Sequence, residues 1–377
     1  MEKAVTSSPG PSRRWFAGTD GICMGAMKGL AAVRRLLALS EGPDFVCYRY
    51  RLAAFSDALL AAGWQLELVR RPRGMAEFAA ALRQIRVADA VIVQRRLLGW
   101  AKAALVRRFA GTLIYDFDDA IFARDSNASR GPDDALRWRG FSRMVRAADA
   151  TLAGSTHLRE QANRCGAPER IHRLPTCVDT DRYELAAHER PAGTAELVWV
   201  GSRSTMPSLV EARGCLAAAA AGKPGVTLNV ICDAFPHLEG IPLRTTEWSA
   251  ATETRDIARA DIGIAWLPDH PWSLGKCGLK VLQYMAAGLP VVANAVGIHR
   301  ELVEPGVTGF LANDPREWRA AVRALAESPA LRRRMGAAAR AQVERDWSVR
   351  CWGPRLAAIL SETADARSAK RIGGRAA

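Results

Sequence analysis

From Val33 onward, short apolar runs alternate with amphipathic stretches. VRRLLALS (33–40), WQLELV (64–69), ADAVIVQ (88–94) and TLIYDFDD (112–119) have the length and β-branched content of buried strands. Between them, YRYRLAAFSDALLAAG (48–63), MAEFAAALRQI (75–85) and LLGWAKAALVRRFAG (97–111) repeat apolar residues at helical spacing, and the first and last stop at a glycine. ADATLAGS (148–155) and RIHRLPTCVD (170–179) predict two further strands. A polar stretch with Pro and Gly, LAAHERPAGT (185–194), then interrupts the rhythm, which restarts with AELVWVGS (195–202). A helix from about Pro207, strands VTLNVIC (226–232) and ADIGIAWLP (260–268), a helix after Gly278, LPVVANAVG (289–297) and one basic helix from Glu317 to Gln342 follow. Strands and helices in such alternation, joined by short connections, predict an α/β chain of doubly wound parallel sheets. The expected division is a flexible leader (1–28), an N-terminal domain (29–188), a C-terminal domain (189–361) and a solvated tail (362–377). Met24 or Met27 is a candidate start inside the leader.

Composition narrows the function classes. At 377 residues, 49% hydrophobic and 24% charged, the chain suits a soluble protein of two domains. No apolar run reaches the roughly 18 residues that span a bilayer, and the first residues lack the apolar core of a signal peptide. A cytoplasmic protein is expected. The 8 cysteines show no CxxC pair, so reduced thiols are expected, with no disulfide and no metal site. A formal charge of +14 favours anionic partners. Zinc spacings, a recognition helix and aromatic-basic clusters are all missing, which sets nucleic acid aside and leaves a phosphorylated substrate or an anionic membrane surface.

The richest stretch is GKCGLKVLQYMAAGLPVVANAVG (275–297). In its helix Leu279, Leu282 and Ala286 form an apolar stripe, and Lys280, Gln283 and Tyr284 a neighbouring polar one. The reading is one face on the sheet and one facing a ligand beyond the strand ends. Lys276 and Lys280 beside a helix N-terminus suit a phosphate, with two solvated lysines as the alternative. In YDFDDAIF, Asp116, Asp118 and Asp119 end a strand on the cleft side. General-base or acceptor-binding work, a metal-binding Asp-x-Asp and a polar strand end with Asp119 as a helix cap stay open there. Arg49 and Arg51, after the Gly42-Pro43 turn, face either the cleft or solvent. Trp100 with Arg95, Arg96, Lys102, Arg107 and Arg108 reads as a basic helix, for a membrane surface or simply with solvated arginines.

GKCGLKVLQYMAAGLPVVANAVGIHRELVEPGVTGFL resembles the C-terminal signature of family 4 glycosyltransferases. So do RYRLAAFSDALLAAGWQLELV, YDFDDAIF, AADATLAGSTHLREQANRCGAPERIHRLPTCVDTDRY, VWVGSRSTMPSL and RAAVRALAESPALRRRMGAAARAQVERDWS, in the same order. The resemblance implies the GT-B architecture, two facing Rossmann-like domains with a cleft between them. It further implies retaining, metal-independent hexosyl transfer from an NDP-sugar, used as a substrate with no bound cofactor. The acceptor would be a carbohydrate or a lipid-linked glycan in surface polysaccharide or glycolipid synthesis. Donor-binding positions fall on Gly201, Ser202, Arg203, Lys276, Gly278, Lys280 and Gln283. Gly42, Arg49 and Arg51 fall on the acceptor side, and Asp116, Asp118, Asp119 and Lys280 are the catalytic candidates. In the family's motif a Glu is followed eight positions later by another, and here these positions hold Gly275 and Gln283. The usual diphosphate-binding Arg and Lys are likewise replaced within GSRSTMPS, where Arg203 comes one position late. These departures leave two alternatives, a nucleotide-binding scaffold without turnover and a sugar-nucleotide epimerase.

Overall fold

A computed structural model describes residues 33–125, 131–222 and 225–376; the expected leader (1–28) lies outside them. The described chain forms two sheets of six strands each, and every strand pairing is parallel. The first sheet holds β1 (Arg34–Ser40), β2 (Trp64–Arg70), β3 (Ala90–Gln94), β4 (Leu113–Phe117), β5 (Ala150–Ala153) and β6 (Ile171–Arg173), in the order β2-β1-β3-β4-β5-β6. The second holds β7 (Ala195–Val200), β8 (Val226–Cys232), β9 (Leu243–Glu247), β10 (Ile262–Ala265), β11 (Val291–Ala293) and β12 (Gly309–Leu311), ordered β12-β11-β10-β7-β8-β9. β3, β4, β5, β7 and β10 are buried along their whole length, as strands covered on both faces by helices must be. The expected doubly wound α/β class holds for both halves. In each sheet the strand order reverses beside the first strand, between β1 and β3 and between β7 and β10, and such reversals open a crevice at the C-terminal strand ends.

Three expectations need correction. The helix expected over 48–63 is broken at Leu52 (φ −127°, ψ −60°) into Val46–Arg51, a short 3-10 turn and Ser56–Ala61. The basic helix expected from Glu317 to Gln342 is two helices, Pro315–Glu327 and Pro329–Asp346. Ser328 is extended there, its hydroxyl accepts from the Leu331 amide, and Pro329 has no N–H to continue the first helix. The expected tail (362–377) belongs to a helix, Val349–Ala376. Leu356, Leu360 and Ala364 are buried against Phe55 and Trp64 of the first sheet's layer, and the Trp64 indole donates to Ser361 at 3.0 Å. Apolar spacing at 356, 360 and 364 carries the helix past the expected boundary.

Candidate functional site

Segments from both crevices meet around a cavity of about 420 Å³. After β7, Ser202 and Thr205 form a reciprocal capping box, which turns the Thr205 hydroxyl towards the cavity. After β10 the chain makes the single turn Pro271–Leu274 and then enters the buried helix Leu279–Ala286 through Gly278, whose φ of +69° is left-handed. A Cβ there would also strike Leu302, so position 278 is glycine on two counts. The apolar half of this helix packs as expected, but its other side is not a solvent-facing polar stripe. Tyr284 is fully buried, with its hydroxyl accepting from the Val200 amide, and Gln283 is 2% exposed.

Lys276 and Lys280 both line the cavity. The Lys280 amine donates to Thr205 Oγ1 at 3.2 Å and lies 3.8 Å from the centre of the Trp199 indole. Desolvation, with repulsion from Lys276 behind it, pushes Lys280 down to a pKa of about 7. Lys276 pairs with Asp119 at 3.0 Å, across the cleft. Burial raises the Asp119 carboxyl above its usual range, against the pull of Lys276 and Arg95. His299, also on the cavity wall, is pushed down to about 4 by burial.

The three strand-end aspartates separate. Asp116 is fully buried and ion-paired with the equally buried Arg51, whose Nη1 donates to the Leu174 carbonyl at 2.8 Å. Gln94 adds a bond to Asp116 at 3.0 Å. This pair fastens the Val46–Arg51 helix beneath β4, so Arg51 does not face an acceptor and Asp116 does not face the cleft. Asp118 and Asp119 do line the cavity. Asp118 Oδ1 is buried without a hydrogen bond, 3.3 Å from Arg95 Nε. Arg95, which the sequence reading placed on a basic helix, ends β3 in a left-handed conformation (φ 56°) and holds Asp119 at 2.8 Å. Such a backbone costs about 1–3 kcal/mol and persists where the surroundings impose it. The helix itself begins only at Trp100.

Other expected contacts fall elsewhere. Gln283 donates to the Tyr50 hydroxyl at 2.9 Å and does not line the cavity. Tyr50 in turn donates to Glu253 at 3.0 Å, and Arg49 lies 3.7 Å from the same carboxylate, so these side chains tie the two halves together. Arg203 is exposed and, like Gly201 and Ser202, does not line the cavity; Ser204, Thr205 and Ser208 do. Gly42 is buried in the turn after β1. At Gly275, a Cβ would come within 2.6 Å of both the Cβ and the amide nitrogen of Ala120 in the opposite half. No side chain, and hence no glutamate, fits there while the halves stay this close. Sequence reasoning missed Arg95, Thr205 and Trp199; only the position of Arg95 at the end of an apolar strand hinted at the cleft. Among the described residues no three His, Cys, Asp or Glu side chains gather as a metal site. No described helix is long and apolar enough to cross a membrane. The seven described cysteines are unpaired, six of them buried; Cys23 lies outside.

Residues 253–328 match the family model described as "Glycosyl transferases group 1". Among curated proteins, glycogen synthase of Mycobacterium tuberculosis is 28% identical over 222 residues, 54% of this chain and 52% of that protein. D-inositol 3-phosphate glycosyltransferase of Geodermatophilus obscurus is 30% identical over 227 residues, 52% of this chain and 49% of that one. The chain thus spans about half the length of the curated relatives it matches. Among solved structures, HepE of Anabaena in complex with UDP and glucose superposes with a TM-score of 0.66 at 16% identity, over 87% of this chain and 100% of that one. Sucrose-phosphate synthase of Thermosynechococcus elongatus gives 0.69 at 16% identity, over 88% of this chain and 100% of that one. Two six-stranded parallel sheets facing a shared cleft, superposing on these chains almost end to end, give this protein the GT-B fold.

Proposed function

We propose that the chain is a glycosyltransferase that moves a sugar from a nucleoside diphosphate sugar to an acceptor hydroxyl, with retention and without a bound metal. The observation that carries the reading is the convergence of two lysine amines, the Thr205 hydroxyl and the Leu279–Ala286 helix N-terminus on one interdomain cavity. In the reaction, the bond between the sugar's anomeric carbon and the diphosphate oxygen breaks, and a bond to the acceptor oxygen forms. The electron pair leaves on the diphosphate, and the acceptor's proton ends on a phosphate oxygen or on Asp118. Lys280, Lys276 and the unpaired helix N–H groups stabilise the departing charge, the task a divalent cation performs elsewhere. Asp118 Oδ1, buried and without a hydrogen bond, has a free acceptor position for a sugar or acceptor hydroxyl. The group 1 family match over 253–328 and the UDP-bound neighbour support this reading. The acceptor is a carbohydrate or lipid-linked glycan precursor, met in the cytoplasm or at the inner membrane face, for surface polysaccharide or glycolipid assembly.

Incubation with UDP- and GDP-sugars, read by thermal shift and by released nucleotide, tests the proposal. A ligand present at about 100 times its Kd adds about 2.7 kcal/mol to stability. Release of nucleotide by the wild type, abolished in a folded Lys280→Ala variant, is the expected result. Full activity in Lys280→Ala overturns the assignment. Binding with no turnover against any acceptor returns the scaffold reading, and an isomerised free sugar nucleotide returns the epimerase.

A further inference from the structure

A second and larger cavity, about 910 Å³, lies wholly in the first half of the molecule. It opens at the C-terminal ends of β1, β2 and β3 and is walled by the helices Met75–Val87 and Trp100–Phe109. Leu39, Val93, Phe78 and Leu98 give its wall an apolar part, beside a larger polar part. Its rim carries Arg70, Arg71, Arg73, Arg96 and Lys102. Among the described lining residues, two carboxylates, Glu41 and Glu77, answer these five cations. Glu41 is taken up by Arg96 and by Arg71. Glu77 accepts from the Arg73 amide at 2.8 Å, and Lys102 rests over the Phe78 ring. Arg70 and Arg73 are exposed, and among the described residues no carboxylate is ion-paired with either guanidinium. Phe45 stands 51% exposed on the wall, and Met75 and Trp100, 72% and 76% exposed, begin the two helices that flank it. A mixed hollow, part apolar and rimmed by more cations than carboxylates, suits a molecule that joins an anionic group to an apolar portion.

The hollow also adjoins the transfer cavity. Phe45 lines one and Val46 the other, and Arg96 lines one while Arg95 lines the other. We propose that this hollow binds the acceptor, and that the acceptor is a phosphate-bearing amphiphile. Its phosphate sits among Arg70, Arg73 and Lys102, its apolar portion lies against Phe78 and Leu98, and its hydroxyl-bearing end passes Val46 towards Asp118. The acceptor role rests on the transferase reading above; the chemistry of the hollow does not.

Dodecyl phosphate below its micellar concentration is the probe, with inorganic phosphate, dodecyl maltoside and phosphatidylglycerol–phosphatidylcholine vesicles in parallel arms. UDP is titrated separately to report on the other cavity. Dodecyl phosphate is expected to bind more tightly than inorganic phosphate or dodecyl maltoside. The double variant Arg70→Gln/Arg73→Gln, on exposed positions, should weaken it about tenfold while leaving UDP affinity unchanged. A folded protein that binds UDP but not dodecyl phosphate overturns the inference and leaves the transferase reading standing. So does inorganic phosphate binding as tightly as the amphiphile, because the apolar wall would then contribute nothing. Vesicle binding lost in the double variant, with no binding of monomeric dodecyl phosphate, also overturns it in favour of a membrane surface. Dodecyl phosphate binding that responds to the variant, in a protein that ignores nucleotides, upholds the hollow's chemistry and removes the transferase reading instead.

Discussion

Under the proposed function, a lysine amine held at a pKa of about 7 makes donor binding depend on pH in a definite direction. By that value, about nine in ten Lys280 side chains are charged at pH 6 and about one in ten at pH 8. If the diphosphate engages only the charged form, apparent affinity scales with that fraction and falls about tenfold over this range, about 1.4 kcal/mol. Two neighbouring groups, His299 and Cys232, do not imitate the effect. His299 is held near 4, and burial raises the Cys232 thiol above its ordinary value, so both are uncharged throughout; Lys276 contributes repulsion. UDP-glucose is the suitable probe because its diphosphate is esterified at both ends and keeps a constant charge. Calorimetry in two buffers of different ionisation enthalpy should show binding taking up nearly one proton at pH 8, as the diphosphate restores the amine's charge. In the unliganded protein the sign is opposite. Between about pH 7 and 10.5 the unfolded chain holds a proton that the folded one lacks, so Lys280 makes the protein more stable as pH rises. A pH-independent affinity, or the same slope and proton uptake in a folded Lys280→Met variant, refutes the reasoning.

Three further outcomes follow from contacts between distant residues. Gly275→Glu, which would install the glutamate of the resembled motif, should not raise activity. It should cost about 1–3 kcal/mol by pressing on Ala120, and it should reduce turnover, both seen by calorimetric melting and nucleotide release. Arg51→Leu strands the buried Asp116 carboxylate and should cost about 3–5 kcal/mol in urea unfolding, with most of that recovered in Arg51→Leu/Asp116→Leu. Ala364→Asp, in the stretch that sequence patterning reads as a solvated tail, should cost about 2 kcal/mol or more, because Ala364 is 6% exposed against the first sheet's helices; an unchanged melting temperature removes that packing.

The alternation of strands and helices was legible because periodicity is a local property: each buried strand needs only its own run of apolar residues. What failed were signals whose cause lies far along the chain. Nothing within residues 48–63 shows that Arg51 is drawn inward by Asp116, 65 positions away, or that the helix breaks beside it. A charge-rich strand end likewise gave three equivalent aspartates, although pairing with Arg51 withdraws one and leaves two in the cleft. Ser328-Pro329 was a stop signal on the page, overridden by the basic helical pattern on both sides.

Positions 275 and 283 share one physical setting, the close approach of the two halves. Gly275 meets the backbone of Ala120, and that contact brings the preceding carboxylate, Asp119, to 3.0 Å from Lys276. A carboxylate from the turn after β4 of the opposite half thus lies beside position 275. Position 283 is set in the same way: Gln283 turns to Tyr50, and the carboxylate at that end of the interface is Glu253, which Tyr50 and Arg49 reach from the first half. Both carboxylates therefore act across the interface. Opening the cleft would release Lys276 from Asp119 and Tyr50 from Glu253 together, so the charge presented to a diphosphate depends on closure. A motif read within one domain cannot report that dependence, because the partners of Lys276 and Gln283 lie in the other.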